Sequence, residues 1–218
     1  MQTRNSFSVK KMVLLAMMAA IAYVVMCFIR IPVVMFLKYE PKDVIITIAG
    51  FLFGPLSSFI ISFIVSLVEM VTVSDTGPIG ALMNLLSTCC FACTASFIYK
   101  RNRTMVGAIV SLVIGCVIMV AAMLLWNWLI TPIYLGYERE VVAGMLVPVF
   151  LPFNLLKGGL NTAFVLFLYK PLVTALRKTG MIETREQAPS NSKTGVYLLG
   201  LVLLVTCVLL LLVFQGKI

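Results

Sequence analysis

The segment Pro152-Phe-Asn-Leu-Leu-Lys-Gly-Gly-Leu-Asn161 sets two amides and an ammonium into an otherwise apolar run. Counted from Asn154, residues Lys157, Gly158 and Asn161 follow at spacings of three, four and seven, which is one face of a helix. A lysine at the centre of an apolar helix costs roughly 2.5–3.5 kcal/mol on insertion scales, so its presence calls for a reason. Two readings compete. Either the face binds a ligand, with the glycines opening room beside three polar groups, or Lys157 extends to the interface while the asparagines bond neighbouring helices. A second stripe, Gly77, Gly80, Ala81, Asn84 and Thr88, is also read two ways, as a polar lining or as close packing of small residues. In Trp126-Asn-Trp-Leu-Ile-Thr-Pro132 an amide lies between two indoles; the indoles suit interfacial anchoring, whereas Asn127 is not explained by anchoring. A fourth group is Lys38, Tyr39 and Glu40, followed by Pro41, Lys42 and Asp43.

These side chains must be positioned by membrane-spanning helices. The chain has 218 residues, of which 61% are hydrophobic and 11% charged, with a mean hydropathy of +1.09; a soluble domain carries about 25% charge. At about 20 residues per span there is room for roughly six or seven helices. The patterning predicts spans at about 12–29, 56–73, 79–99, 105–130 and 147–175, with a short helix from near Asp43 to Gly54-Pro55. A structured loop is expected between Arg30 and Lys42, a turn at Asp75 to Pro78, an end to the fifth span at Thr131-Pro132, and a polar loop carrying Glu138, Arg139 and Glu140. This gives an all-α membrane bundle of six spans over 1–178, a polar linker over 179–194, and an additional, seventh transmembrane helix over 195–214.

Histidine is absent, which removes His-based triads, HExxH zinc sites and imidazole shuttles. The six cysteines, Cys27, Cys89, Cys90, Cys93, Cys116 and Cys207, all lie in apolar stretches and read as packing residues. No metal site is expected, because the CCxxC at Cys89 to Cys93 lacks further ligands. The net charge of +9 is distributed by topology rather than gathered for nucleic acid. Arg4, Lys10, Lys11, Lys100, Arg101, Arg103, Lys170, Arg177, Lys178, Arg185 and Lys193 fall on one side, against Arg30, Lys38, Lys42, Arg139 and Lys217 on the other. The excess of basic residues marks the cytoplasmic side, so a multi-pass protein of the cell membrane with a cytoplasmic N-terminus and an outside C-terminus is expected. The polar stripes and the 38–43 loop then converge on the outer half, while the cytoplasmic half looks uniformly apolar. This describes a cup open to the outside, suited to a planar, partly polar small molecule and not to an ion path through both halves.

The chain resembles the substrate-binding S components of energy-coupling factor (ECF) vitamin transporters, most closely the riboflavin-specific ones, over about residues 8–178. The resemblance rests on Ala16-Met-Met-Ala-Ala20, Lys38-Tyr-Glu-Pro-Lys-Asp43, Gly50-Phe-Leu-Phe-Gly-Pro55, Thr76-Gly-Pro-Ile-Gly80 with Asn84, Asn127 before Thr131-Pro132, and Pro152-Phe-Asn-Leu-Leu-Lys-Gly158. It implies a six-helix subunit that captures riboflavin from outside and docks through Ala16 and Ala20 on a transmembrane coupling protein driven by two cytoplasmic ATPases. Asn127, Asn154 and Lys157 would hydrogen-bond the ligand, and the 38–43 loop would be part of its lid. Riboflavin would be cargo, and no cofactor is implied. The seventh helix departs from the six-span pattern. An S component for another vitamin or flavin precursor is the nearest alternative; a lipid-modifying membrane enzyme would need clustered acids, and Glu69 and Asp75 are the only acids that the sequence places near a span.

Overall fold

Residues 9–73, 76–178 and 193–215 are described by a computed structural model of the chain. Arg4, Asp75, Arg185, Lys217 and residues 179–192 of the expected linker lie outside the described residues. The order of elements is α1 (Val9–Phe28), β1 (Ile31–Val34), β2 (Leu37–Tyr39), α2 (Lys42–Phe53), α3 (Pro55–Thr72), α4 (Gly77–Thr88), α5 (Thr94–Arg101), α6 (Met105–Leu135), α7 (Arg139–Met145), α8 (Leu151–Lys178) and α9 (Lys193–Phe214). Single π-helical turns, Cys89–Cys93 and Leu146–Phe150, join α4 to α5 and α7 to α8 into continuous runs. Among the described residues, five runs are long and apolar enough to cross a membrane: Val9–Phe28, Pro55–Thr72, Gly77–Arg101, Met105–Leu135 and Arg139–Leu172. The remaining two helices, α2 with 12 residues and the apolar part of α9, Leu198–Phe214, are shorter.

Apolar side chains face both ways. Leu15, Met18, Ala22, Ile48, Phe51, Ile61, Phe91, Leu112 and Met119 form the interior, while Val24, Phe59, Phe63, Leu67, Val113 and Val117 form an outward belt, as expected where the surrounding solvent is hydrocarbon. Glycines let the backbones approach. A β-carbon at Gly158 would collide with Cys116 Sγ of α6, and one at Gly159 with Cys207 Sγ of α9. The ends of successive helices alternate. Lys11 Nζ donates to Phe53 O at 3.5 Å at one end, and Tyr23 Oη donates to Thr72 Oγ1 at 2.8 Å at the other. Gly54, with φ 95°, reverses the chain between α2 and α3, and Pro55 starts α3 where its missing N–H is not needed.

Several expectations need correction. The loop between Arg30 and Lys42 is an antiparallel hairpin pairing Ile31 with Tyr39, Pro32 with Lys38 and Val34 with Leu37. Its tip places Met35 at φ 50°, a conformation that two-residue hairpin turns require and that non-glycine residues rarely adopt. Thr131-Pro132 does not end the fifth span: α6 passes through Pro132 and stops at Gly136, whose left-handed backbone donates to Pro132 O at 2.9 Å. Proline removes one helical bond near the end of a long helix, and the turn survives it. Arg139 and Glu140 form the first turn of α7 and not a loop, so the last core span begins well before residue 147.

Candidate functional site

The hairpin closes over the ends of α4, α6 and α8 and leaves a cavity of about 160 Å³. Arg30, Phe36, Leu37, Lys38 and Glu40 line it from the α1–hairpin segment, Met83, Asn84 and Ser87 from α4, Met123 and Asn127 from α6, and Phe153, Asn154 and Lys157 from α8. Thr76, just before α4, completes the wall. Six residues expected at a ligand site, Lys38, Glu40, Asn84, Asn127, Asn154 and Lys157, therefore share one cavity. Tyr39, Gly158 and Asn161 do not line it. Tyr39 turns into the packing layer of Val33, Leu37, Phe150 and Phe153, Gly158 lies against Cys116, and Asn161 is fully buried.

The amides are held by their own helices. Asn127 Nδ2 donates to Met123 O at 2.7 Å, and its Oδ1 accepts from Thr131 Oγ1 at 2.9 Å; Asn154 Nδ2 donates to Phe150 O at 2.7 Å. Each primary amide has two N–H donors and two acceptor lone pairs, so these bonds fix the planes without exhausting them. Lys157 Nζ donates to Ser87 Oγ at 3.1 Å and lies 3.3 Å from Asp43 Oδ2.

Beside the cavity lies a network that sequence reasoning missed. Arg30 Nε pairs with Glu40 Oε1 at 2.6 Å, its Nη2 reaches Glu69 Oε1 at 3.2 Å, and its Nη1 donates to Val73 O at 2.7 Å. Lys42 pairs with Glu40 Oε2 at 2.8 Å and with Glu69, and Asn84 Nδ2 donates to Glu69 Oε1 at 2.8 Å. Counting Lys157 and Asp43, three cations meet three carboxylates here, so a buried cluster of charges is neutral overall. Such pairing is what makes burial of ions tolerable. By sequence Arg30 and Lys42 read as loop charges, and Asp43 is not among the acids that the sequence places near a span. Asp43 is instead fully buried at the head of α2. The available signal was that α2 is too short to span with its charged first turn in water.

The opposite half is not uniformly apolar, contrary to expectation. Ser58 and Ser96 share a hydrogen bond of 3.2 Å, and Tyr99 and Tyr169 one of 3.0 Å. These hydroxyls are satisfied locally: Ser96 donates to Ala92 O at 2.6 Å, which leaves its oxygen to accept from Ser58. All buried charged side chains among the described residues, Glu40, Lys42, Asp43, Glu69 and Lys157, lie at the hairpin end. The two halves differ in charge rather than in polarity.

The family model "ECF transporter, substrate-specific component" matches residues 10–169. The chain is 28% identical over 178 residues to the riboflavin transporter RibU of Staphylococcus aureus (strain TCH60), covering 78% of this chain and 93% of that protein. It is 29% identical over 168 residues to the riboflavin transporter FmnP of Bacillus subtilis (strain 168), covering 69% and 85%. A solved structure of the S component of a bacterial ECF transporter is similar with a TM-score of 0.64 at 30% identity, covering 77% of this chain and 98% of the other.

Proposed function

The chain belongs to the substrate-specific components of ECF transporters, and from that premise we propose that it captures riboflavin from outside the cell in the cavity beneath the hairpin. It is a multi-pass membrane transport subunit and not an enzyme. One observation supports the ligand more than any other: Asn127, Asn154 and Lys157 surround a single cavity whose remaining walls include Phe36, Met83, Met123 and Phe153. The isoalloxazine ring has a polar edge that needs donors and acceptors and flat faces that need apolar contact, and this lining offers both. Relatives named as riboflavin transporters point the same way.

Titration of riboflavin into the detergent-purified protein, read by quenching of flavin fluorescence, tests this. Saturable one-to-one quenching is expected, with affinity lowered about tenfold or more by Lys157→Met, the scale of a lost hydrogen bond to a charged group. An unquenched wild-type titration would overturn the ligand assignment.

For transport, the reading is that the N-terminus is cytoplasmic and that α1 docks on a transmembrane coupling protein powered by two ATPases. Ala16 and Ala20 are exposed on α1, whereas Ala19 and Ala22 are buried in the bundle. Small exposed residues one turn apart allow close approach of a partner helix. Ala16→Trp should therefore leave riboflavin binding unchanged and abolish riboflavin uptake by cells; retained uptake would exclude this face.

A further inference from the structure

The ammonium of Lys157 lines the cavity, but its orientation is set from outside it. Asp43 is fully buried, contributes nothing to the cavity wall, and has both oxygens engaged. Its Oδ1 accepts from Thr88 Oγ1 at 2.6 Å; its Oδ2 accepts from Asn161 Nδ2 at 3.2 Å and faces Lys157 Nζ at 3.3 Å. Asn161 is itself held, since its Oδ1 accepts from Tyr39 Oη of the hairpin at 3.1 Å. An ammonium has three N–H donors. With one directed to Asp43 and one to Ser87, the third remains for the cavity that Lys157 lines.

We propose that Asp43 is a positioning residue for riboflavin binding, acting through Lys157, in a hydrogen-bonded chain that runs from Tyr39 of the hairpin through Asn161 and Asp43 to the ligand. The inference rests on the riboflavin reading above. Asp43 thus acts on the ligand at one remove, Asn161 at two and Tyr39 at three, and the carboxylate of Asp43 is the point where α2, α4 and α8 meet. A purely structural role for Asp43 would change affinity by the same factor whether or not Lys157 is present. A positioning role makes its effect on affinity depend on Lys157.

A double-mutant cycle on the full chain in detergent separates the two. Riboflavin affinity is measured by fluorescence quenching for wild type, Asp43→Asn, Lys157→Met and the double variant, with melting temperature recorded beside each. Asp43→Asn should weaken binding about tenfold in the presence of Lys157 and by less than about twofold when Met is at position 157. Equal losses in both backgrounds, or no loss in either, would overturn the inference. If Asp43→Asn does not yield folded protein, Thr88→Val is read in the same cycle: it keeps the carboxylate and releases one side of it. A wild type that binds riboflavin while both variants bind as tightly defeats this inference alone, whereas a wild type that does not bind riboflavin defeats the ligand reading and this inference with it.

Discussion

Glu69 receives donors from three segments, Arg30 after α1, Lys42 of α2 and Asn84 of α4. Removing one member of a buried ion pair costs about 3–5 kcal/mol, because the partner stays behind in a medium that disfavours it. Glu69→Leu should therefore lower the melting temperature sharply, and adding Lys42→Met should restore part of the loss; equal melting of Glu69→Leu and wild type would show the pair to be dispensable. Glu40 adds a dependence on pH. Burial works against its carboxylate, but Lys42 first and Arg30 after it outweigh burial and hold its pKa below the ordinary carboxylate range. Its contribution to stability is then present above the unfolded value, about 4.3, and is lost as pH falls through the lowered folded value. Melting temperature should be flat from about pH 8 to 5 and fall in more acid buffer, less steeply in Glu40→Gln. Polar residues inside apolar runs, Asn84, Asn127, Asn154 and Lys157, could be read one at a time because each is costly where it stands. Lys42, Asp43 and Glu69 could not, since their meaning lies in partners up to 118 residues away.

At the scale of elements, the hairpin and α9 were the least legible. A hairpin announces itself by Asn-Gly or Asp-Gly at its tip, and here the tip is Met35-Phe36, with Met35 held at φ 50°. Met35→Gly should raise stability by about 1 kcal/mol, the cost of a left-handed conformation for a residue with a β-carbon; an unchanged melting temperature would show that the turn carries no strain. The length and hydropathy of α9 were readable, but not where it lies. It packs along α8, with Leu203, Leu211 and Phe214 joining the layer beneath the hairpin, and Gln215 Nε2 donates to Pro32 O at 2.9 Å. The family match ends at residue 169, so α9 lies outside it, and its end touches the hairpin that covers the cavity. A chain ending at residue 178 should still bind riboflavin but release it several-fold faster in stopped-flow fluorescence; an unchanged release rate would make α9 a passive neighbour.

Across the whole molecule, buried charge is concentrated at the hairpin end and the belt between the two ends is apolar, an arrangement foreshadowed by the distribution of polar residues among the predicted spans. The order of the chain gives it a further meaning in time. Arg30, Glu40, Lys42 and Glu69 are all synthesised early and can pair as soon as α3 exists. Asp43 waits for α8: Asn161 follows it by 118 residues, roughly 6–24 s of translation at about 5–20 residues per second. During that interval the head of α2 carries a carboxylate whose cationic partner has not left the ribosome. Lys42 can hold the head of α2 to α3 early, but a helix of 12 residues with a carboxylate still unpaired has little reason to bury that face in lipid, so the Asp43 face of α2 should close only after α8 emerges. Ribosome-stalled chains carrying Val44→Cys, with the native cysteines changed to serine, would report this order. Chains stalled before residue 150 should react with a water-soluble maleimide, and chains stalled beyond residue 200 should be protected.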